Sequence, residues 1–226
     1  MPNYRRGQGF VEYILLVLLL GIISASALKI TGVDVGDLFT SVANTLSNKS
    51  NTVFADTFSD LSNWKSIFGP NRWSVLDGNL VTTSAGDQRI METSNLPNDY
   101  VITTTAQLLS GGGYGIMFRL TPSGSSYAGY SFQLDEGYGN KFVLRKYSAN
   151  GTEISTPIAV SNPPAGFDFY APHQVTLSVV GNTYTAYIDG TQVMTATDNS
   201  YTSGGAGLRT WWSNQVSVSD FSVSTP

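Results

Sequence analysis

Hydrophobic and polar positions fall into three regimes along the chain. Over residues 10–28 nearly every residue is apolar or small, with Arg5 and Arg6 before the run and Lys29 closing it. A membrane-spanning helix needs about 20 apolar residues, so the run predicts one. The arginines put its start on the cytoplasmic side and everything after Lys29 outside. Next, Leu38, Phe39, Val42 and Leu46 recur near helical spacing, with Asp34 or Asp37 placed to open a helix. Gly32 and Gly36 predict a kink or a short break between the two helical stretches. Ser47-Asn48-Lys49-Ser50-Asn51-Thr52 is a polar, turn-rich linker. From Val53 onward the period becomes two. Val175, Leu177 and Val179 alternate with Gln174, Thr176 and Ser178, and Tyr130, Phe132, Leu134 and Tyr184, Ala186, Ile188 behave alike. That period marks half-buried antiparallel strands. Asp189-Gly190 and Gly181-Asn182 read as tight hairpin turns. The predicted architecture is an N-terminal hydrophobic α-helix followed by an all-β, antiparallel two-sheet β-sandwich.

Length and composition sharpen this picture. The 226 residues suit one ordinary globular domain plus an extra element. There is no cysteine, hence no disulfide framework and no thiol chemistry. Twelve basic against 16 acidic residues, with no basic stripe, offer nucleic acid no surface. Glu12 stands inside the apolar run, between Val11 and Tyr13. A charge at the bilayer centre costs about 2.5–3.5 kcal/mol. Near the end of the span that cost is lower, but between bundled helices Glu12 needs a positive partner. A cut upstream would free an α-amine and supply one. Gly7, followed by Gln8-Gly9-Phe10-Val11 and then Glu12-Tyr13, marks where to look.

The stretch RRGQGFVEY resembles the processing site of the Flp-type (type IVb) pilins: a basic leader, a Gly, four residues, then Glu-Tyr. The stretch LKITGVDVGDLFTSVANTL resembles the short amphipathic tail of such pilins. The resemblance implies cleavage between Gly7 and Gln8 by a prepilin peptidase, with Glu12 pairing with a neighbouring subunit's terminal amine and Tyr13 beside it. It implies a leader at 1–7, a transmembrane and assembly helix at 8–47, a linker at 48–52 and the sandwich at 53–226. It also implies a path from the cytoplasmic membrane, through the pilus assembly machinery, to a homopolymeric Flp/Tad-type pilus outside the cell. Two other readings stay open. Ser24-Ala25-Ser26-Ala27 follows an apolar stretch, residues 14–23, in the manner of a secretory signal peptide, which would leave a terminus at Leu28. An uncleaved single-pass anchor explains the hydrophobicity but leaves Glu12 without a partner.

Three stretches of the remaining chain resemble the concanavalin A-like or laminin-G-like jelly roll. They are DTFSDLSNW with WSVLDGNLV, GGYGIMFRL with YAGYSFQLDEG, and HQVTLSVVGNTYTAYIDGTQV with GGAGLRTWWSNQVSVSDFSVS. The resemblance implies the fold but leaves function open, since the fold hosts lectins, glycosidases, adhesion modules and spacers.

Hydrolases of this fold often carry a Glu-x-Asp-x-x-Glu strand, which is absent here. Asp135-Glu136 is the nearest carboxylate pair, but neighbours on a strand face opposite ways, so it reads as a charged hairpin end. No catalytic site is expected. His173, the one histidine, reads as structural, and Gly111-Gly112-Gly113 as a hairpin or bulge. Val216 and Val218 share a face that Asp220 should follow inward, whereas Phe221 and Val223 take the opposite parity, so a bulge is expected at Asp220. Asp56 and Asp220 are candidate Ca²⁺ ligands, as oxygen donors suit that ion; backbone hydrogen bonding is the alternative. Trp211 and Trp212 are adjacent, so at most one faces the core. Together with Tyr130 and Tyr138 they are the candidate platform for a surface glycan. The resulting expectation is a pilus subunit displaying a β-sandwich for adhesion or carbohydrate binding, with a secreted or membrane-anchored lectin outside any filament as the alternative.

Overall fold

The computed structural model describes residues 51–82 and 86–226. The spanning helix, the cleavage site at Gly7 and Gln8, and the assembly residues Glu12 and Tyr13 lie outside the described residues. The chain divides between Ser50 and Asn51.

The second unit is a two-sheet antiparallel sandwich. One sheet holds β1 (Thr52–Asp56), β3 (Trp73–Leu76), β4 (Asn79–Thr82), β6 (Tyr100–Ser110), β11 (Pro172–Val180), β12 (Thr183–Ile188), β13 (Thr191–Thr197) and β15 (Gln215–Ser224). Its strand order is β13-β12-β11-β6-β15-β4-β3, with β1 added on β15. The other sheet holds β2 (Trp64–Phe68), β5 (Gln88–Glu92), β7 (Gly113–Ser123), β8 (Ser126–Asp135), β9 (Lys141–Tyr147), β10 (Ala159–Ser161) and β14 (Gly205–Thr210). Its order is β10-β9-β8-β7-β14-β5-β2.

The alternation in the sequence becomes the core. Val175, Leu177, Val179, Tyr184, Ala186 and Ile188 enter it from one sheet, and Ile116, Phe118, Phe132, Leu134 and Leu208 meet them from the other. Asp189-Gly190 closes the β12–β13 hairpin with φ of +49° and +77°, the pair of left-handed residues that a type I′ turn requires. Gly181 takes φ +56° at the β11–β12 turn.

Two expectations need correction. Gly111-Gly112-Gly113 is neither hairpin nor bulge. It is an arch from β6 in one sheet to β7 in the other, where a Cβ on Gly111 would strike Asn214. Asp220 does not face inward. The expected bulge is there, as a register shift between Val218 and Asp220, but it absorbs the change of parity. Ser219 and Asp220 are left on the outward side while Phe221 returns to the core.

Candidate functional site

The outward face of the seven-stranded sheet is not a solvated polar surface. Part of it is apolar and covered, with Ile67, Met91, Met117, Leu120 and Tyr147 packed together. Beside that patch a row of residues crosses the strands in register: Val143, Gln133, Gly115, Arg209 and Arg89, ending at Phe68. Gly115 is the low point of the row, since a Cβ there would lie 2.4 Å from the Ser131 hydroxyl.

A partly buried ion network ties this row to the loops beside it. The Arg209 fork grips Asp87 at 3.1 and 3.2 Å and donates through Nη1 to Glu153 at 2.7 Å and to the Tyr147 hydroxyl at 2.6 Å. Arg89 donates to Asp87 at 3.0 Å and to the Gly151 carbonyl at 2.9 Å. The Tyr147 hydroxyl donates to Glu153 at 2.8 Å and accepts from Gln133 at 3.0 Å. Burial pushes the Asp87 carboxyl up, but the hydrogen bonds and charge of Arg209, with Arg89, outweigh it and hold the group below its ordinary value.

The network floors a cavity of about 210 Å³. Gln133, Asp135 and Arg145 project into it from β8 and β9, and Tyr138, Trp211 and Trp212 form its rim. Arg145 donates to the Ser155 carbonyl at 3.1 Å, sits 3.2 Å from Glu153, and lies over the Tyr138 ring at 4.8 Å. Asp135 ends β8 and caps the short 3₁₀ turn Glu136–Tyr138, accepting from the Tyr138 amide at 2.9 Å. Burial raises its carboxyl to about 6, although the Tyr138 N–H and the Arg145 charge work against the rise. The expectation that Asp135 is only a hairpin charge is therefore corrected: 7% exposed, it belongs to the pocket, while Glu136 is half-buried and does not line it.

The tryptophan pair lies in the turn just past β14, and the two rings part there. Trp211 is buried at 7% exposure, with its ring 4.8 Å from the Arg209 guanidinium, on the pocket side rather than in the sandwich core. Trp212 is 77% exposed and takes φ +52°. A bulky residue in the left-handed region is strained by about 1–3 kcal/mol. Two contacts hold it: the Gly86 amide donates to the Trp212 carbonyl at 2.6 Å, and the Asn214 amide closes the turn on Trp211 at 3.1 Å. Asn214 also grips the glycine arch, accepting from Gly112 and donating to Gly113.

The remaining candidates separate cleanly. Tyr138 is 44% exposed at the rim. Tyr130 is fully buried in the core, stacked on Phe118 at 5.2 Å with its hydroxyl 2.6 Å from Asp198, so it cannot meet a ligand and that assignment is withdrawn. Its inward parity is the one it shares with Phe132 and Leu134 on β8, a strand flanked by β7 and β9. Asp56 accepts from the Phe58 amide, the Trp64 indole and the Asn63 amide; Asp220 accepts from the Thr105 amide and the Ser219 hydroxyl. No cluster of three metal-ligating side chains occurs among the described residues, so a Ca²⁺ site has only these two engaged carboxylates. His173 lies between the Asp189 carboxylate at 2.7 Å and the Asp168 carbonyl at 2.8 Å, stacked on Phe167 at 4.3 Å, which is a structural clamp. Missing from the sequence reading were Arg145, Arg209, Asp87 and Glu153. Each looks like an ordinary surface charge until the strands are put in register.

Two antiparallel sheets, with an aromatic-rimmed polar pocket on the outward face of one, define a concanavalin A/galectin-like jelly roll. Residues 51–223 match the 3-keto-alpha-glucoside-1,2-lyase-like domain, and the chain belongs to that family. Among solved structures, the carbohydrate-binding module CBM66 from Bacillus subtilis is 21% identical, with a TM-score of 0.58 over 70% of this chain and 94% of its own. A Bacillus subtilis protein of unknown function with a galectin-like fold is 13% identical, with a TM-score of 0.60 over 77% and 96% of the two chains. The Bacillus licheniformis beta-glucanase is 14% identical, with a TM-score of 0.59 over 79% and 100%. No curated protein matches the chain. At these identities the likeness carries the fold and not the function.

Proposed function

We propose that the sandwich binds carbohydrate in the pocket on its seven-stranded sheet. The observation that carries this reading is the pairing of chemistries in one cavity: an exposed Trp212 and Tyr138 at the rim, with Asp135 and Arg145 below them. A sugar ring presents an apolar C–H face and an equatorial belt of hydroxyls. The positive C–H edges suit the negative face of an aromatic ring. A carboxylate and a guanidinium side by side accept from and donate to neighbouring hydroxyls. The carbohydrate-binding module among the structural relatives lends the reading support. The test is a glycan array probed with the full-length protein in detergent. Trp212→Ala should lower affinity for any glycan bound by about tenfold or more and leave the melting temperature unchanged, because that ring is in solvent. Wild-type protein that binds nothing above background would remove the proposal.

Catalysis is a second reading, favoured by Asp135, whose carboxyl is poised to trade a proton near neutral pH. Against it, glycoside hydrolysis needs two working carboxylates, and Asp87 and Glu153 are tied up by Arg209. A 3-keto disaccharide incubated with the protein tests it directly. Turnover that Asp135→Asn abolishes would make the domain an enzyme.

The N-terminal segment completes the proposal. The spacing of Gly7, Glu12 and Tyr13 supports display of this domain at the cell surface as the outer part of a pilin-type subunit. The mature N-terminus of protein sheared from cells discriminates the routes: Gln8 for prepilin processing, Leu28 for an ordinary signal peptide.

A further inference from the structure

Gly137 is a glycine the fold does not require. Its φ is not in the positive range. A Cβ built on it meets the Gly112 carbonyl at 3.4 Å and Asp135 Oδ1 at 3.5 Å, which is ordinary contact. Yet it lines the pocket. With no side chain there, the pocket wall at Gly137 is bare backbone. The Gly137 amide donates to the Gly112 carbonyl at 2.8 Å, and a Cβ on Gly112 would lie 3.1 Å from Gly137 Cα, so two backbones without side chains lie against each other. The next carbonyl along the arch, that of Gly111, accepts from the Tyr170 hydroxyl at 2.9 Å. Tyr170 is 42% exposed, and its backbone is fixed by Gln107 and Asp168.

From these contacts we propose that the binding site continues out of the pocket, over a glycine shelf at Gly137 and Gly111–Gly112, to a second aromatic platform at Tyr170. The site then takes a run of several sugar units rather than a single terminal one. The proposal rests on the carbohydrate reading of the pocket. Three features support it together. The shelf is continuous with the pocket, and aromatic rings stand at both of its ends. Tyr170 holds its hydroxyl on the shelf's own backbone, which immobilises the ring before any ligand arrives. Charge narrows the ligand further. Glu136 reaches to 3.9 Å of a Cβ position at Gly112, and Asp168 lies beside Tyr170. Uronic or sulfated glycans would meet like charge there, so the ligand class is a neutral oligosaccharide.

The test uses full-length protein in detergent on an array of neutral glucan, fructan, mannan and galactan oligosaccharides, each from disaccharide to octasaccharide, with their sulfated counterparts. The readout is the ratio of long-chain to disaccharide affinity within one series. Wild type should favour the long chains by about tenfold, and the neutral chains over the sulfated ones. Tyr170→Ala and Gly137→Leu should each bring the ratio to near one, while Tyr170→Phe, which keeps the ring but loses its anchor on Gly111, should give an intermediate ratio. Gly137→Leu keeps the test decisive if Tyr170→Ala loosens the arch. A wild-type ratio of one, or one that both Tyr170→Ala and Gly137→Leu leave intact, overturns the extended track and leaves the pocket standing. Absence of all wild-type binding overturns both.

Discussion

Asp135 shows how one residue changes meaning between sequence and structure. Beside Glu136 and Gly137 it looks like a charge at a strand end. In the fold it is buried beside Tyr138, and burial raises its carboxyl from 3.8 to about 6. A raised acid keeps its proton in the folded state at a pH where the unfolded chain has lost it. Its contribution to stability is therefore full below about pH 4 and falls as pH rises through about 6. Asp135→Asn should be more stable than wild type at pH 7, with the difference vanishing near pH 4. Urea midpoints at the two pH values measure this; a difference that grows as pH falls would contradict the assignment. Asp56 makes the converse point. Its oxygens serve the Phe58 amide and the Trp64 indole, which packs on Phe54 at 5.7 Å and Phe221 at 5.2 Å. Asp56→Ala should cost about 1–3 kcal/mol by leaving those donors unpaired. Treatment with chelator should leave the melting temperature of the wild type unchanged, since the Asp56 oxygens already serve three hydrogen-bond donors.

At the scale of elements, the pocket depends on side chains that tie strands to loops. Arg209 on β14 holds Asp87 ahead of β5 and Glu153 in the connection after β9, so one guanidinium joins three segments distant in sequence. Breaking a buried pair by removing one partner costs roughly 3–5 kcal/mol. Asp87 and Glu153 keep 32% and 30% side-chain exposure, and solvent there relieves part of the loss. Arg209→Leu should therefore cost about 3 kcal/mol, the low end of that range, and weaken glycan binding as the pocket floor loosens. Chemical denaturation of the variant reads the first effect and the array reads the second. At the other end of the sandwich Arg119 does a similar job. Fully buried with φ +53° at a bulge in β7, it donates to the carbonyls of Thr202 and Gly181, and its own amide donates to the Tyr100 hydroxyl.

For the whole molecule, the division at Ser50 and Asn51 separates a unit built on strand pairing from a segment whose sequence speaks of helices and membrane. The two carry different physics. The sandwich holds its own core, and the proposal above gives the apolar run at residues 10–28 lipid or copies of itself as cover. On the pilin-type reading proposed above, Glu12→Ala should leave protein in the membrane but reduce filaments, because that reading makes Glu12 the partner of a neighbour's terminal amine. Filaments at wild-type yield, counted by electron microscopy of sheared material, would contradict that role.

The sequence by itself determined the sandwich. Period-two alternation at Gln174–Val179 and at Tyr184–Ile188, with Asp189-Gly190 between strands, specifies which faces are buried and where the chain turns, because strand periodicity is a local property of the backbone. It also marked Trp211-Trp212 as a pair of which at most one could enter the core, and Tyr138 as a candidate platform beside them. Only the tertiary structure decided what surrounds them. Asp87, Arg145, Glu153 and Arg209 are scattered over more than half of the sandwich, and nothing local distinguishes them from solvated charges. Register across β5, β14, β7, β8 and β9 brings them within hydrogen-bond reach. The same holds for the glycine arch, which links two sheets rather than two neighbouring strands. Pairing between distant strands is a property of the folded chain, and the site is made of it.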